Sequence, residues 1–187
     1  MNELFPAESW KRIRDTYEAW WKRELDRPVI YLAFIDENCE IPQPELDPNY
    51  LLSVYNDEPA EKVLDMLEYL MRSKRYECDG YPYVWMYFGP MSTIEHFGAK
   101  ATVLKDTVWY EPKENIPMPD LNLRIDPNSV FNRRFDEISK IIDERFPDGY
   151  VSASPMGGSS SLDILTGYLI QPSYSCLSMI IRRTLSA

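Results

Sequence analysis

Residues 29–35 read Val-Ile-Tyr-Leu-Ala-Phe-Ile, and this short run decides the fold class. The run is apolar on both faces and rich in strand-forming residues, which is typical of a buried strand in a parallel sheet. Asp26-Arg27-Pro28 ends the segment before it, because a residue that precedes proline avoids the α-helical region. A loop is expected over residues 36–50, where three prolines lie among acidic side chains.

Amphipathic helices are expected on either side of this strand. Apolar side chains recur at spacings of three and four from Trp10 to Leu25, again from Val63 to Met71, and again from Phe131 to Phe146. The second helix opens at residues 56–59 and the third at Asp126-Pro127, where polar caps stand next to prolines.

Short strands and one short helix fill the spaces between these helices. The expected elements are a strand over residues 83–88, a helix over 92–97 that ends at Gly98, a strand over 150–154, and a helix from about Leu162. Residues 100–104 and 107–110 are expected to form two short strands or one interrupted hairpin. The alternation of strands and helices predicts a parallel α/β architecture.

Composition narrows the class of protein. The chain has 187 residues, which suits one domain, and its formal net charge of -10 disfavours binding to nucleic acid. No apolar run reaches the ~18 residues that span a bilayer, and the N-terminus lacks the pattern of a signal peptide. Three scattered cysteines suggest neither a disulfide framework nor a zinc site. A cytoplasmic protein is expected.

The segment 83–110 is the first candidate site, because parallel α/β proteins bind ligands at the carboxyl ends of their strands. We assign Tyr87 and His96 as candidate catalytic residues, and Gly89 and Trp109 as candidate substrate-binding residues. The alternative is structural: the two aromatic side chains suit a core or its rim, and His96 does not face its neighbour Glu95 on a helix.

The segment 154–163 is the second candidate, since its glycines and serines lead into a helix whose N-terminus could hold an anion. Ser154 is a candidate substrate-binding residue and Asp163 a candidate catalytic one. The alternative is a helix cap within a tight turn. The sequence has one histidine and no Cys-x-x-Cys pair, so a zinc site within this chain is not expected.

Several segments resemble a divergent branch of the uroporphyrinogen decarboxylase superfamily. They are residues 17–21 (YEAWW), 24–29 (ELDRPV), 88–90 (FGP), 96–99 (HFGA), 106–110 (DTVWY) and 161–167 (SLDILTG). The resemblance implies a (β/α)8 barrel, of which residues 1–167 would form the N-terminal part, with its active site at the carboxyl ends of the strands. An incomplete barrel would leave an open sheet edge, so self-association is expected.

Relatives with two activities define the functional alternatives. The decarboxylase needs no cofactor, whereas corrinoid-dependent methyltransferases use zinc and a cobamide. This sequence departs from the decarboxylase, because no arginine-rich segment follows Arg27-Pro28, the catalytic aspartate position falls at Gly89 or Pro90, and Asp163 replaces a tyrosine. The methyltransferase relationship is therefore preferred, with a small-molecule or corrinoid substrate. The decarboxylase and a non-catalytic remnant remain alternatives.

Residues 168–187 no longer resemble the superfamily. Pro172 interrupts the helix that the superfamily continues after Gly167. One permitted choice of codons for residues 178–187 reads, in a shifted frame, as the superfamily's Asp-x-Pro-Glu-x-Val segment. A frameshift just after Gly167 is our hypothesis for this atypical tail.

Overall fold

A computed structural model describes residues 5–110, 120, 122–146, 151–153 and 164. The chain divides into two compact units. Unit 1 comprises residues 1–50, 57–86 and 137–154, and unit 2 comprises residues 51–56, 87–136 and 155–187. The expected proline-rich loop at 112–119, most of the helix from Leu162 and the tail at 168–187 lie outside the described residues.

The described helices follow the predicted apolar stripes, except that the first helix ends at Trp21, before the predicted end of its stripe at Leu25. They are α1 (Ala7–Trp21), α2 (Ala60–Arg72) and α3 (Val130–Arg145), with short 3-10 helices at Leu52–Tyr55 and Ser92–Phe97. The described strands are β1 (Tyr31–Ile35), β2 (Lys74–Cys78), β3 (Tyr83–Trp85), β4 (Ala101–Val103), β5 (Val108–Tyr110) and β6 (Val151–Ala153).

The expectation of a buried parallel strand at β1 is wrong. β1 pairs antiparallel with β2, from Tyr31 opposite Cys78 to Ile35 opposite Lys74. All five β1 residues are exposed, and Ile35 is 80% exposed. The sequence pattern missed β2, because this strand is rich in charged residues and follows α2 after a single residue. β2 therefore takes the place that a parallel neighbour was expected to occupy.

One strand pair in unit 1 is parallel, as the alternating pattern predicts. β3 pairs with β6, from Tyr83 opposite Val151 to Trp85 opposite Ala153. The predicted strand over residues 83–88 is shorter than expected, because β3 ends at Trp85. In the described part of the chain the strands form three two-stranded sheets and no arc of a parallel barrel. The (β/α)8 barrel stays a prediction.

The core of unit 1 is built mainly on α2. Its predicted stripe is buried except for the half-buried Leu70, and Val63 and Leu64 are fully enclosed. Met66, outside the predicted stripe, is fully enclosed as well. The stripe of α1 behaves differently, since Ile13 is buried but Trp21 is 79% exposed. The apolar periodicity therefore identified both helices but overstated how much of α1 enters the core.

A buried carboxylate fixes the start of β1 to the end of β2. Asp79 is fully buried, and both of its oxygens accept hydrogen bonds from Arg27, at 2.6 and 2.8 Å. The backbone N–H of Ile30 donates a third, at 3.0 Å. The Arg27 hydrogen bonds outweigh the effect of burial and lower the pKa of Asp79 to about 2. Asp79 is therefore an ionised structural anchor.

Unit 2 contains the predicted short helix and hairpin. The 3-10 helix at 92–97 ends at Gly98, whose φ of 82° suits glycine. β4 and β5 pair antiparallel, from Ala101 opposite Tyr110 to Val103 opposite Val108.

The helix α3 begins slightly later than the cap predicted at Asp126-Pro127. The helix begins at Val130, and the Ser129 hydroxyl accepts a hydrogen bond from the N–H of Asn132 at 3.1 Å. Asp126 accepts instead from the N–H of Asn128, at 2.9 Å. Ser129 is therefore the helix cap, and Asp126 stabilises the turn that precedes it.

Candidate functional site

Gly89 brings the backbone after β3 close to β5. Its φ is 117°, and a Cβ atom added there would lie 2.6 Å from Val108 Cγ2 and 3.2 Å from Leu51 Cδ1. Both the conformation and the spacing therefore require glycine. This position supports the site structurally, and its predicted contact with a substrate stays a prediction.

The carboxyl of Glu95 is an unusual titratable group among the described residues of unit 2. Glu95 lies in the 3-10 helix and is only 6% exposed. The Tyr110 hydroxyl donates a hydrogen bond to its Oε1 at 2.7 Å. Burial raises the pKa of Glu95 to about 7, although the hydrogen bond from Tyr110 opposes this rise. Near neutral pH this carboxyl exists in both protonation states.

The Tyr110 hydroxyl keeps its proton under all ordinary conditions. Burial, followed by the nearby charge of Glu95, raises the pKa of Tyr110 far above its usual range, and Tyr87 adds a smaller effect. Tyr110 is therefore a hydrogen-bond donor to Glu95 and not a base. Its bond occupies Oε1, and Glu95 Oε2 has no donor among the described residues.

Glu95 lines a cleft with a volume of about 370 Å³. This volume lies within the range of small-molecule sites. The cleft contains a further carboxyl, Asp126, and one lysine, Lys100, together with apolar walls from Val103 and Val130. A protonatable carboxyl in a cleft of this size is a candidate for acid–base chemistry.

Asn56 contributes a second buried polar group to the same cleft. Its Oδ1 is buried and has no hydrogen-bond partner among the described residues. A buried acceptor without a donor costs roughly 1–3 kcal/mol. A side chain retained at that cost is expected at a binding site.

His96 is held by structural contacts beside the site. Its Nδ1 lies 2.6 Å from Asn132 Oδ1, and its ring packs edge-on against Phe131 with centroids 4.6 Å apart. Because Asn132 Nδ2 donates to the Asp126 carbonyl, Oδ1 accepts and the histidine carries its proton on Nδ1. His96 is not among the residues that line the cleft. The contacts fit the structural alternative.

The other predicted site residues have different surroundings. Trp109 is 61% exposed on β5, and neither it nor Tyr87 lines the cleft. The Tyr87 carbonyl accepts a hydrogen bond from the N–H of Leu52 at 2.8 Å. Ser154 and Asp163 lie outside the described residues.

The described residues contain neither a metal-ligand cluster nor a membrane-spanning helix. There, no three His, Cys, Asp or Glu side chains are grouped as a metal site. Within the same ranges, no helix is long and apolar enough to cross a bilayer.

Comparisons with known protein families, curated proteins and solved structures found no match. The functional conclusion therefore rests on the geometry of the cleft and on the sequence resemblance.

The sequence pattern did not single out Glu95. Nothing in the sequence marks one of many glutamates as buried, whereas the lone histidine beside it is the residue type that ordinarily titrates near neutral pH. The available signal was the placement of Glu95 in a short helix between Pro90 and Gly98, followed by a hairpin with an inward tyrosine.

Proposed function

We propose that this chain is part of a small-molecule enzyme similar to the uroporphyrinogen decarboxylase superfamily, in which Glu95 transfers protons. The observation that carries the proposal is the hydrogen bond that Tyr110 donates to Glu95, a residue that lines the cleft. Glu95 lies between the segments 88–90 and 96–99 of the resemblance, and Tyr110 is the last residue of the segment 106–110.

The chemistry follows from the two states of the Glu95 carboxyl. With a pKa of about 7, the protonated form can donate to a leaving heteroatom and the ionised form can take a proton from a nucleophile. Tyr110 holds Oε1, so Oε2 is the oxygen through which the proton moves. The hydrogen bond also stabilises the carboxylate that forms when the proton leaves.

Within the superfamily we propose a relationship to the corrinoid-dependent methyltransferases. The carboxyls of Glu95 and Asp126 would repel the carboxylates of a tetrapyrrole substrate. In such a reaction the methyl group would pass from oxygen or nitrogen to a separate nucleophilic acceptor, such as a reduced corrinoid. The heteroatom left behind would need a proton, which Glu95 can supply. The described residues provide no donor set for zinc, and a cleft of 370 Å³ does not enclose a corrinoid, so we assign no step to either group.

The test combines a proton titration with an activity assay. We expect the Glu95 side-chain carboxyl, followed by ¹³C NMR, to titrate near pH 7 in the full chain. We also expect methyl transfer between methylcobalamin and small thiols, alcohols or amines to follow the same ionisation and to be lost in Glu95→Gln. Conversion of uroporphyrinogen to coproporphyrinogen would favour the decarboxylase alternative. An ordinary pKa for Glu95 would overturn the assignment.

A second candidate role is self-association through β1, which a separate structural feature supports. β1 exposes a run of apolar side chains, including Phe34 at 47% and Ile35 at 80%. Exposed apolar strands pair with other chains unless they are protected. This role needs no catalysis and corresponds to the non-catalytic alternative.

Sedimentation velocity over a range of concentrations tests this second role. Ile35→Lys is expected to shift the chain toward monomer, because a charge on the apolar strand opposes pairing. Asn38→Lys makes the same change of charge at an exposed polar residue and is expected to leave association unchanged. A wild-type chain that stays monomeric at all concentrations would exclude the role.

A further inference from the structure

We propose that the cleft of unit 2 binds a small organic cation through its ammonium group, an inference that rests on the proposed function of the same cleft. Three acceptors with spare capacity belong to its lining. They are Glu95 Oε2, Asp126 Oδ2 and Asn56 Oδ1, each without a donor among the described residues.

The donor count favours an ammonium group. Each protonated amine carries three N–H donors and no acceptor, so it complements a lining that is rich in oxygen. A hydroxyl group brings a single donor. Hydrogen bonds between an ammonium and a carboxylate are also charge-assisted, which makes them shorter and stronger than neutral ones.

Above the pKa of Glu95, about 7, the lining carries two carboxylates and one ammonium group, and this charge balance disfavours anions. Glu95 and Asp126 are acidic, and Lys100 is the one lysine or arginine that the described lining contains. Lys100 is exposed, so its ammonium group can extend into solvent and away from a bound cation. The net charge of -10 adds a long-range attraction for cations.

Asn56 supplies an observation that is independent of the carboxyls. Its Oδ1 is buried without a donor, which is unfavourable for folding. A ligand N–H can reach this oxygen only when the Asn56 side chain turns toward the cleft, and the hydrogen bond formed there would remove the penalty. Asn56 is therefore expected to favour ligand binding at the expense of stability, as binding-site residues commonly do.

The size of the cleft sets the size of the ligand. A volume of about 370 Å³ accommodates an amine with a short carbon chain, whose apolar part would lie against Val103 and Val130. n-Butylammonium is therefore a suitable probe, and 1-butanol, butyrate and tetramethylammonium differ from it in charge or in N–H donors.

NMR titration of the full chain with these four compounds, at constant ionic strength, tests the inference. Butylammonium is expected to cause saturable shifts of the Gly98, Lys100 and Ala101 amides, with affinity at least tenfold above that of the other three. Equal affinity for 1-butanol, or tighter binding of butyrate, would overturn the inference.

Three variants assign the interaction to named groups. We expect Glu95→Gln to weaken butylammonium binding about tenfold and Asn56→Ala to weaken it severalfold without lowering the melting temperature. Lys100→Gln is expected to strengthen binding, whereas Lys140→Gln, with the same charge change on an exposed residue of unit 1, is not. Unchanged affinity in the Asn56 and Lys100 variants would contradict the inference even if Glu95→Gln unfolds.

The failures of the two proposals are distinguishable. If Glu95 titrates near pH 7 but butylammonium does not bind, the ammonium inference is wrong and proton transfer stands. If Glu95 titrates at its ordinary pKa while butylammonium binds at the expected amides, the ligand class is supported and the proton-transfer role is wrong.

Discussion

Asp79 in unit 1 and Glu95 in unit 2 are both buried carboxyls, yet their pKa values move in opposite directions. The pKa of Asp79 falls to about 2, while that of Glu95 rises to about 7. Asp79 accepts two hydrogen bonds from Arg27 and one from the Ile30 N–H, whereas Glu95 accepts one from the neutral hydroxyl of Tyr110. Both acids are buried, so the difference in pKa comes from their hydrogen-bond partners. These partners make one carboxyl an ionised structural anchor and leave the other able to transfer a proton.

Of the substitutions at these two carboxyls and their partners, removal of Asp79 should change the free energy of unfolding most. Asp79→Ala deletes three hydrogen bonds and leaves the Ile30 N–H without its acceptor. We expect a loss of about 3 kcal/mol in the free energy of unfolding, because hydrogen bonds to charged groups are strong and an unsatisfied buried group is costly. Urea denaturation measures this loss.

Asp15→Ala is the matched control for that experiment. Asp15 pairs with Lys11 on the exposed face of α1, and exposed ion pairs contribute little. Similar losses in the two variants would show that Asp79 is not an anchor.

Replacing Glu95 by a neutral residue should increase the free energy of unfolding, whereas removing Asp79 decreases it. The folded-state pKa is raised to about 7 from its ordinary value of 4.5. Folding therefore binds a proton between these pH values, and stability falls as pH rises from about 4.5 to about 7. Glu95→Gln removes this cost, and we expect it to be about 2 kcal/mol more stable than wild type at pH 8. Thermal unfolding at pH 5 and pH 8 should show the difference mainly at pH 8.

Asp79 should cause part of the loss of stability at acidic pH. Its folded-state pKa lies below the unfolded value, so its contribution is present above pH 4 and is lost as pH falls from about 4 to about 2. Asp79→Asn should lack this part of the decline. Denaturation curves at pH 5, 3.5 and 2.5 measure it, and parallel declines in the two proteins would contradict the assignment.

Tyr110→Phe should have the smallest effect. Without the hydroxyl, Glu95 loses the hydrogen bond that lowers its pKa, so the pKa should rise further above 7. We expect a stability loss of about 1 kcal/mol, the usual size for one hydrogen bond. A ¹³C titration of Glu95 measures the shift, and Tyr17→Phe in unit 1 should leave it unchanged.

Local patterns predicted much of the fold. The stripe of α2, the end of the short helix at Gly98 and the β4–β5 hairpin each depend on residues close in sequence, and all three are found. The strand that pairs with β1 could not be predicted in this way, because β2 lies about forty residues away. The charged sequence of β2 also hides its strand pattern. The apolar run at 29–35 could not indicate which strand would lie beside it.

The candidate site was predicted as a region but not as a set of residues. The segment 83–110 contains Glu95 and Tyr110, yet His96 was chosen over Glu95 because histidine titrates near neutral pH without help. A glutamate reaches that range only through burial. The burial of Glu95 depends on a hairpin that follows it and on the turn before α3, which no local pattern reports.

The parallel pairing of Tyr83 with Val151 has a consequence for synthesis on the ribosome. Unit 1 is discontinuous, so β3 emerges long before its partner β6 has been translated. The β1–β2 pair can form early, but the nascent chain must hold β3 without its neighbour while most of unit 2 is made. Slow translation between residues 86 and 151 would prolong this interval, and chaperone contacts are expected to concentrate there.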